Sequence, residues 1–193
     1  MRELGTQAPA FSLPEVTTGQ AISLDTFAGK KALVVMFICQ HCPFVKHVKL
    51  ELARLGRDYA AKNVGIIGIS SNDPAVSSED SPEGLKRMAD AWGLVFPICY
   101  DDSQEVAKSY AAACTPDIYV FDENRRLVYR GQLDESRPGN NKPVTGADLR
   151  SAIDAVLRDR EVNPRQVPSL GCNIKWRPGN APAYYGGGSP RSR

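Results

Sequence analysis

The sequence lacks a long apolar run. Its longest uninterrupted apolar stretch, residues 32–38, has seven residues, whereas a membrane-spanning helix needs about 20. No apolar segment of the kind found in a secretory signal peptide follows the first residues. We therefore expect no association with a membrane, and a cytoplasmic location, where thiols stay reduced.

Acidic residues are absent from the end of the chain. None follows Glu161, whereas five of the 24 basic residues do, and the last 31 residues also hold five Pro and five Gly. Because Pro and Gly interrupt regular structure, we expect a folded domain over residues 1–162 and an irregular, basic extension over 163–193. The apolar residues of the extension are Val167, Leu170, Ile174 and Trp176. They predict that residues 167–178 dock on the domain, whereas 183–193 stay mobile.

A large excess of charge is also absent. The sequence has 24 Lys and Arg against 22 Asp and Glu, a net charge of +2 that is too small for a protein dedicated to nucleic acid. Apolar residues make up 42% and charged residues 24% of the chain, which excludes general disorder.

Five cysteines are too few for a scaffold held together by disulfides. Cys39 and Cys42 form one C-x-x-C motif, whereas Cys99, Cys114 and Cys172 stand alone. In a reducing compartment this pattern indicates redox catalysis or metal binding before a structural role.

Apolar strands alternate with amphipathic helices along the chain. A β-hairpin around residues 15–24 precedes two continuously apolar runs, 31–38 and 64–69, which are typical of buried central strands. The remaining predicted elements are helices from Pro43 to Tyr59, from Pro82 to Gly93, from a Ser103 cap through Ala112 and from residue 145 or 146 to about Arg160, and strands 96–100, 117–121 and 126–129. This order predicts an α/β protein, with three α/β/α layers and a central mixed sheet.

The C-x-x-C motif follows the first central strand, at the sheet edge where open α/β sheets usually carry their chemistry. Two thiols three positions apart on a strand-to-helix turn can close a disulfide with little backbone motion. Pro43 favours the first helical position, which makes Cys42 the N-cap. The unpaired N–H groups of the first turn then lower the pKa of Cys42. Cys39 is either the thiol that attacks a mixed disulfide at Cys42 or the exposed partner.

Two other interpretations of these thiols stay open. Cys39 and Cys42 could be inert buried residues, or they could bind copper or zinc together with His41 or His47. Zinc needs four ligands, and the sequence has no second C-x-x-C or paired His. The helical pattern places His47 on the solvent side. We therefore expect no metal and no other cofactor.

A second feature, Cys114-Thr115-Pro116, directly precedes a predicted strand. Thr-Pro at such a position can form a cis peptide bond, although an ordinary trans bond at a strand start is the alternative. A cis-Pro loop that faces the dithiol would offer backbone groups to an extended thiol substrate. Pro116 is therefore predicted as a catalytic residue beside the dithiol, and Thr115, His41 and Pro43 as substrate-binding residues.

A C-x-x-C motif after a buried strand, with Thr-Pro before a β-hairpin, resembles the thioredoxin fold. Residues 5–13 and 18–20 resemble the amino end of redoxins of the alkyl hydroperoxide reductase and thiol-specific antioxidant group. Further blocks resemble peroxiredoxin-like proteins of the thioredoxin family, namely residues 37–46, 71–73, 79–83, 104–107, 130–134 and 171–180. The resemblance implies a thioredoxin-like fold and thiol-based redox activity over residues 5–180.

The resemblance leaves two enzymatic functions open. The first is a thiol–disulfide oxidoreductase that uses Cys39 and Cys42 in cytoplasmic redox or antioxidant chemistry. The second is a thiol peroxidase with Cys42 as the peroxidatic cysteine and Cys39, Cys114 or Cys172 as the resolving thiol. Peroxiredoxins carry a Thr three residues before the peroxidatic cysteine and an Arg ahead of a later strand. In this sequence Cys39 stands in place of that Thr, and Thr115-Pro116 stands where the Arg is expected. Both differences disfavour peroxidase activity.

The expected partners follow from the same chemistry. Substrates are expected to be thiols or disulfides of proteins or small molecules, and a cellular thiol is expected to act as reductant. Cys114 and Cys172 are candidates for a third redox thiol. We expect a monomer or a weak homodimer, with no nucleic acid bound.

Overall fold

A computed structural model describes residues 2–185 of the chain, which fold around a five-stranded mixed sheet. The strands are β1 (Ser12–Pro14), β2 (Ala21–Ser23), β3 (Ala32–Phe37), β4 (Val64–Ser70), β5 (Ile98–Tyr100), β6 (Cys114–Thr115), β7 (Asp117–Phe121), β8 (Leu127–Gly131) and β9 (Cys172–Asn173). The α-helices are α1 (Pro43–Tyr59), α2 (Pro82–Trp92), α3 (Glu105–Tyr110) and α4 (Ala147–Leu157). Two short 3-10 helices span Leu24–Phe27 and Ser78–Asp80.

The central sheet has the strand order β5-β4-β3-β7-β8. Strands β3, β4 and β5 are parallel, whereas β7 runs antiparallel to β3 and β8 antiparallel to β7. Val35 of β3 lies opposite Ile67 of β4 and Tyr119 of β7. Because β3 has strands on both sides and helices on both faces, all six of its residues are buried, which explains its continuously apolar sequence.

Alternate residues of β3 belong to two separate apolar cores. Val34 and Met36 pack with the buried faces of α1, α2 and α4. Leu33 and Val35 pack with α3 and the N-terminal segment on the opposite face. This confirms the predicted three-layer α/β/α architecture with a mixed sheet.

Helix α1 positions the C-x-x-C turn at the end of β3. It begins at Pro43, with Cys42 as N-cap, as the sequence predicts. Its buried apolar residues follow the predicted spacing: Val45, Val48, Leu52, Leu55 and Tyr59. Because this apolar face is fixed against the sheet, the first turn of the helix is fixed as well.

Some predicted bounds are wrong. The N-terminal hairpin is confirmed, but its first strand is β1, and Glu15 pairs instead with Cys99 of β5. Helix α3 begins after Gln104 rather than Ser103, and it ends at Tyr110 rather than Ala112. Gln104 takes a left-handed conformation with φ of 64°, and its buried side chain contacts the C-terminal extension.

Backbone hydrogen bonds attach much of the C-terminal extension. Strand β9 pairs with β6, and Ile174 is only 1% exposed. Trp176 packs against the same core as Ile174. Val167 and Leu170 are 52% and 57% exposed, so their prediction as anchors is wrong. Docking within residues 167–178 is confirmed, while the domain boundary at residue 162 stays a prediction.

The far end of the extension is also attached. The Tyr184 hydroxyl donates to the Ala112 carbonyl oxygen at 3.0 Å, so the predicted mobility of residues 183–193 is wrong for Tyr184. Residues 186–193 lie outside the described residues. Among residues 2–185, no helix is long and apolar enough to cross a membrane.

The buried position of Ile174 gives a test of docking. We expect Ile174→Ala to lower the free energy of unfolding by about 2–4 kcal/mol, because it leaves a cavity in the core. Leu170→Ala, which alters an exposed side chain of the same segment, should lower it by less than about 0.5 kcal/mol. Urea unfolding followed by circular dichroism measures both. Equally small effects would show that this segment does not dock.

Candidate active site

The structure brings the C-x-x-C motif and the Thr-Pro motif together. Cys39 and Cys42 are both fully buried. Thr115 contacts both sulfurs: the Cys42 Sγ lies 3.2 Å from its carbonyl oxygen, and the Cys39 Sγ lies 3.3 Å from its Oγ1. The Thr115–Pro116 peptide bond is cis, as predicted. The prediction that Cys39 is the exposed partner is wrong, because the loop that carries it folds inward beneath the Thr115 strand.

The two thiols have opposite electrostatic environments. The hydrogen bond from Cys39 is the largest of the interactions that lower the pKa of Cys42, and contacts with Thr115 and Cys172 lower it further. The same Cys39–Cys42 hydrogen bond, together with burial and the charge of Asp80, raises the pKa of Cys39. Cys42 is therefore the thiolate of the pair and Cys39 the thiol.

The helix N-terminus contributes less than the sequence predicts. Cys42 is the N-cap, but its side chain forms no capping hydrogen bond. Among the interactions that lower its pKa, the backbone N–H of Val45 is the smallest. The predicted direction of the shift is confirmed, but its main cause is Cys39 rather than the helix.

Asp80 is a site residue to which the sequence analysis assigned no role. Its carboxylate is fully buried and accepts hydrogen bonds from the backbone N–H groups of Gln40 and His41 at 2.9 and 3.1 Å. It also contacts Nδ1 of His41 and accepts from the Asn72 side chain at 2.9 Å. Asp80 therefore fixes the two residues between the cysteines. Its only signal in the sequence is its place in residues 79–83, one of the blocks that resemble peroxiredoxin-like proteins.

A chain of side-chain amides joins this turn to the C-terminal extension. The Asn72 side chain donates to Asp80 and accepts the backbone N–H of Lys175 at 2.8 Å. The buried Gln104 side chain donates to the Lys175 carbonyl oxygen at 2.9 Å and accepts the N–H of Arg177 at 2.9 Å. The position of the extension is thus coupled to that of the dithiol turn.

The two histidines occupy different environments. His41 is half-buried, and its Nδ1 lies 3.7 Å from the Cys39 Sγ. The prediction that His47 lies on the solvent side of α1 is wrong. It is half-buried, and its Nε2 is buried with no hydrogen-bond partner among the described residues, because residues near Pro116 and Leu133 cover this part of α1. Pro43, predicted to bind substrate, lies exposed at the start of α1.

The possible metal ligands differ from the predicted set. Ligand atoms of Cys39, His41 and Asp80 lie within 4.8 Å of one another. Both Asp80 oxygens already accept hydrogen bonds from the surrounding chain. This arrangement suits a carboxylate that holds the turn better than one that binds a metal ion. The copper or zinc alternative stays a prediction, which metal analysis of the purified protein would test.

The other cysteines lie at different distances from the dithiol. Cys172 lies opposite Thr115 on β9 and is half-buried. Cys114 is buried, and its thiol donates to the Pro116 carbonyl oxygen at 3.6 Å. Burial raises the pKa of Cys114, and burial raises that of Cys99, on β5, to about 12. Of these three cysteines, Cys172 is the one that lies opposite Thr115 and is only half-buried.

The sequence model of the Redoxin family matches residues 3–149. The chain belongs to the Redoxin family. The matched region of this redoxin contains the dithiol turn, Asp80 and the Thr115–Pro116 loop.

Two curated relatives are similar to this redoxin at low identity. Peroxiredoxin 2 of Picrophilus torridus is 26% identical over 182 residues, which cover 92% of this chain and 84% of the relative. The thiol-disulfide oxidoreductase ResA of Halalkalibacterium halodurans is 27% identical over 124 residues, which cover 64% of this chain and 65% of the relative. Both names describe oxidoreductases, and this redoxin is an oxidoreductase of the same broad class.

Solved structures share the fold. An uncharacterized conserved protein from Geobacillus kaustophilus is 53% identical, with a TM-score of 0.90 over 92% of this chain and 94% of that one. A thioredoxin family protein from Chlorobium tepidum TLS is 18% identical, with a TM-score of 0.62 over 81% of this chain and 99% of that one. The second likeness supports the fold alone. Together they confirm the predicted thioredoxin-like fold.

The role of Asp80 in the turn can be measured. We expect Asp80→Ala to lower the free energy of unfolding by about 3 kcal/mol or more, because the buried N–H groups of Gln40 and His41 lose their acceptor. The side chain of the neighbouring Glu79 is exposed and forms a surface ion pair with Lys46 at 3.3 Å. Glu79→Ala should therefore cost less than about 0.5 kcal/mol. Thermal and urea unfolding of both variants test this, and similar losses would contradict the assigned role.

Proposed function

We propose that this redoxin is a thiol–disulfide oxidoreductase whose Cys39 and Cys42 exchange two electrons with disulfides or thiols of proteins or small molecules. The observation that carries the proposal is the contact of both buried sulfurs with Thr115, the residue before the cis proline. Their surroundings lower the pKa of Cys42 and raise that of Cys39. Thiolates are the reactive form of cysteine. The name of the relative ResA supports the same chemistry. We place the activity in the cytoplasm, with a cellular thiol as reductant.

In the reducing direction, the Cys42 thiolate attacks one sulfur of the substrate disulfide. A bond forms between Cys42 and that sulfur, the substrate disulfide bond breaks, and the other sulfur leaves as a thiolate with the electron pair. The backbone of Thr115 borders the attacking sulfur, so it is positioned to orient an extended substrate. Pro116 fixes the course of the chain after Thr115.

Cys39 completes the exchange. Once Cys42 is in a mixed disulfide, it no longer carries a negative charge or holds the hydrogen bond that raises the pKa of Cys39 most. The Thr115 hydroxyl at 3.3 Å remains to stabilise the Cys39 thiolate. Cys39 then attacks the Cys42 sulfur and releases the second substrate thiolate. Two electrons have passed from the dithiol to the substrate, and a thiol reductant restores the dithiol.

A peroxidase is the second candidate, since a Cys42 thiolate is also the nucleophile that peroxide needs and one relative is named a peroxiredoxin. Rapid peroxide cleavage requires hydrogen-bond donors aimed at the peroxide oxygens. The Thr115 hydroxyl is already engaged by the dithiol, because it lies 3.3 Å from the Cys39 Sγ and its interaction with Cys42 lowers the pKa of that thiol. The geometry therefore favours attack on sulfur over attack on oxygen.

Activity assays separate these functions. With dithiothreitol as reductant, the protein should reduce 2-hydroxyethyl disulfide, and Cys42→Ser should abolish turnover because the nucleophile is lost. Cys99→Ser, which alters a buried thiol away from the dithiol, should retain it. Hydrogen peroxide consumption by the same samples should be much slower than disulfide reduction. Full turnover in Cys42→Ser, or peroxide as the faster substrate, would contradict the proposal.

The pH dependence of alkylation tests the assignment of the thiolate. Because the pKa of Cys42 is lowered, its iodoacetamide rate should be nearly constant between about pH 6 and about pH 8, where an ordinary thiol becomes steadily more reactive. In Cys39→Ala the main lowering interaction is lost, so the pKa of Cys42 rises and its rate should increase with pH. Peptide mass mapping assigns the alkylated site. Cys99→Ala serves as the control, and a Cys42 profile that Cys39→Ala leaves flat would refute this cause.

A further inference from the structure

The C-terminal extension occupies the backbone edge beside the dithiol. Thr115, the residue before the cis proline, pairs with Cys172 in the antiparallel pair β6–β9. The fit is close at Gly171, where a Cβ atom would lie 2.0 Å from the Thr115 carbonyl oxygen. An unpaired strand edge is a general docking site for an extended peptide. Here the chain itself supplies that extended segment.

This segment also brings a thiol to the dithiol. The Thr115 carbonyl oxygen lies 3.2 Å from the Cys42 Sγ, and the residue opposite Thr115 on β9 is Cys172. The Cys172 side chain packs against the core cluster that contains Cys39 and Cys42. In agreement with this proximity, Cys172 helps to lower the pKa of Cys42, and burial and Cys42 raise the pKa of Cys172. An extended chain with a cysteine beside Cys42 is the arrangement that a substrate thiol would adopt.

The attachment of the segment permits its release. Strands β6 and β9 pair over only two residues each, and the neighbouring Leu170 is exposed. Ile174, which follows β9, is buried and anchors the chain there. Residues 170–173 can open locally at low cost in free energy while Ile174 stays in the core. Cys42 is fully buried in the attached state, so a protein substrate reaches it only after the segment moves.

We propose that residues 171–173 act as a tethered substrate mimic and that Cys172 is a third redox thiol that exchanges with Cys42. The inference rests on the proposed function, which supplies a disulfide substrate as oxidant. After Cys42 has formed a mixed disulfide, the Cys172 thiolate attacks the Cys42 sulfur. A Cys42–Cys172 bond forms, the bond to the substrate breaks, and the substrate sulfur leaves as a thiolate. Cys39 then attacks Cys42 in turn, which releases the Cys172 thiolate.

The test uses full-length Cys39→Ser protein and one equivalent of 5,5′-dithiobis(2-nitrobenzoate). Attack by Cys42 releases one aromatic thiolate and attack by Cys172 releases a second, so we expect two per reagent and a Cys42–Cys172 peptide in the mass map. Cys39→Ser/Cys172→Ser should release one and keep the adduct on Cys42. Cys39→Ser/Cys114→Ser is the matched control and should again release two.

The outcomes distinguish this inference from the proposed function. In one contrary result, the Cys39→Ser protein releases one thiolate and keeps the adduct on Cys42, and in another it joins Cys42 to Cys114. Either result overturns the role of Cys172 but leaves the proposed function intact. If Cys42 carries neither an adduct nor a disulfide in any of the three proteins, the proposed function is overturned, and this inference with it.

A second experiment tests the covering segment without removing a thiol. Gly171→Ala introduces the Cβ that collides with the Thr115 carbonyl, so Cys42 in the folded protein should be alkylated at least about tenfold faster as the segment opens more often. Leu170→Ala, with its exposed side chain, should leave the rate unchanged. Circular dichroism verifies folding. An unchanged rate in folded Gly171→Ala overturns the covering role, and if that variant does not fold, the thiolate count decides.

Discussion

A carboxylate without solvent must find its hydrogen-bond donors in the protein, because an unpaired buried charge is costly. Asp80 finds them in the turn between the two cysteines and in Asn72. Asp80 is also the acceptor that the buried backbone N–H groups of this turn require. This reciprocal requirement fixes residues 40 and 41 and, through them, the separation of the two thiols.

The asymmetry of the thiols follows from that fixed geometry. Both sulfurs are buried, and the interaction with Cys42, burial and the negative charge of Asp80 raise the pKa of Cys39. Cys42, at the start of α1 and beside Thr115, holds the charge at lower cost. The sheet supports this arrangement from below, since β3 is buried along its whole length and leads directly into the turn. Reactivity at Cys42 thus depends on burial and hydrogen bonding around both sulfurs, and only slightly on the helix.

Features determined by neighbours in the sequence were predictable. The apolar run of β3, the Cys42-Pro43 helix start and the spacing along α1 each depend on a short window of residues, and each was predicted correctly. The role of Asp80 was not, because its partner Gln40 lies 40 positions away and nothing near Asp80 in the chain signals the contact. Gln104 is a similar case, since it reaches Lys175 across 71 positions. Four apolar residues of the extension were predicted as anchors by their hydrophobicity, but only Ile174 and Trp176 pack on the core. Near Val167 and Leu170 the extension is attached through backbone hydrogen bonds, which side-chain composition does not reveal.

The side chains that hold the extension at Lys175 are carboxamides. Asn72 and Gln104 carry no charge and do not titrate, so neither salt nor a change of pH weakens their hydrogen bonds directly. The ion pair between Arg177 and Asp102 lies on the surface, where it contributes little. Ionic conditions therefore have little influence on whether the dithiol is covered. What remains to control it is competition for the Thr115 edge and the oxidation state of the thiols beneath.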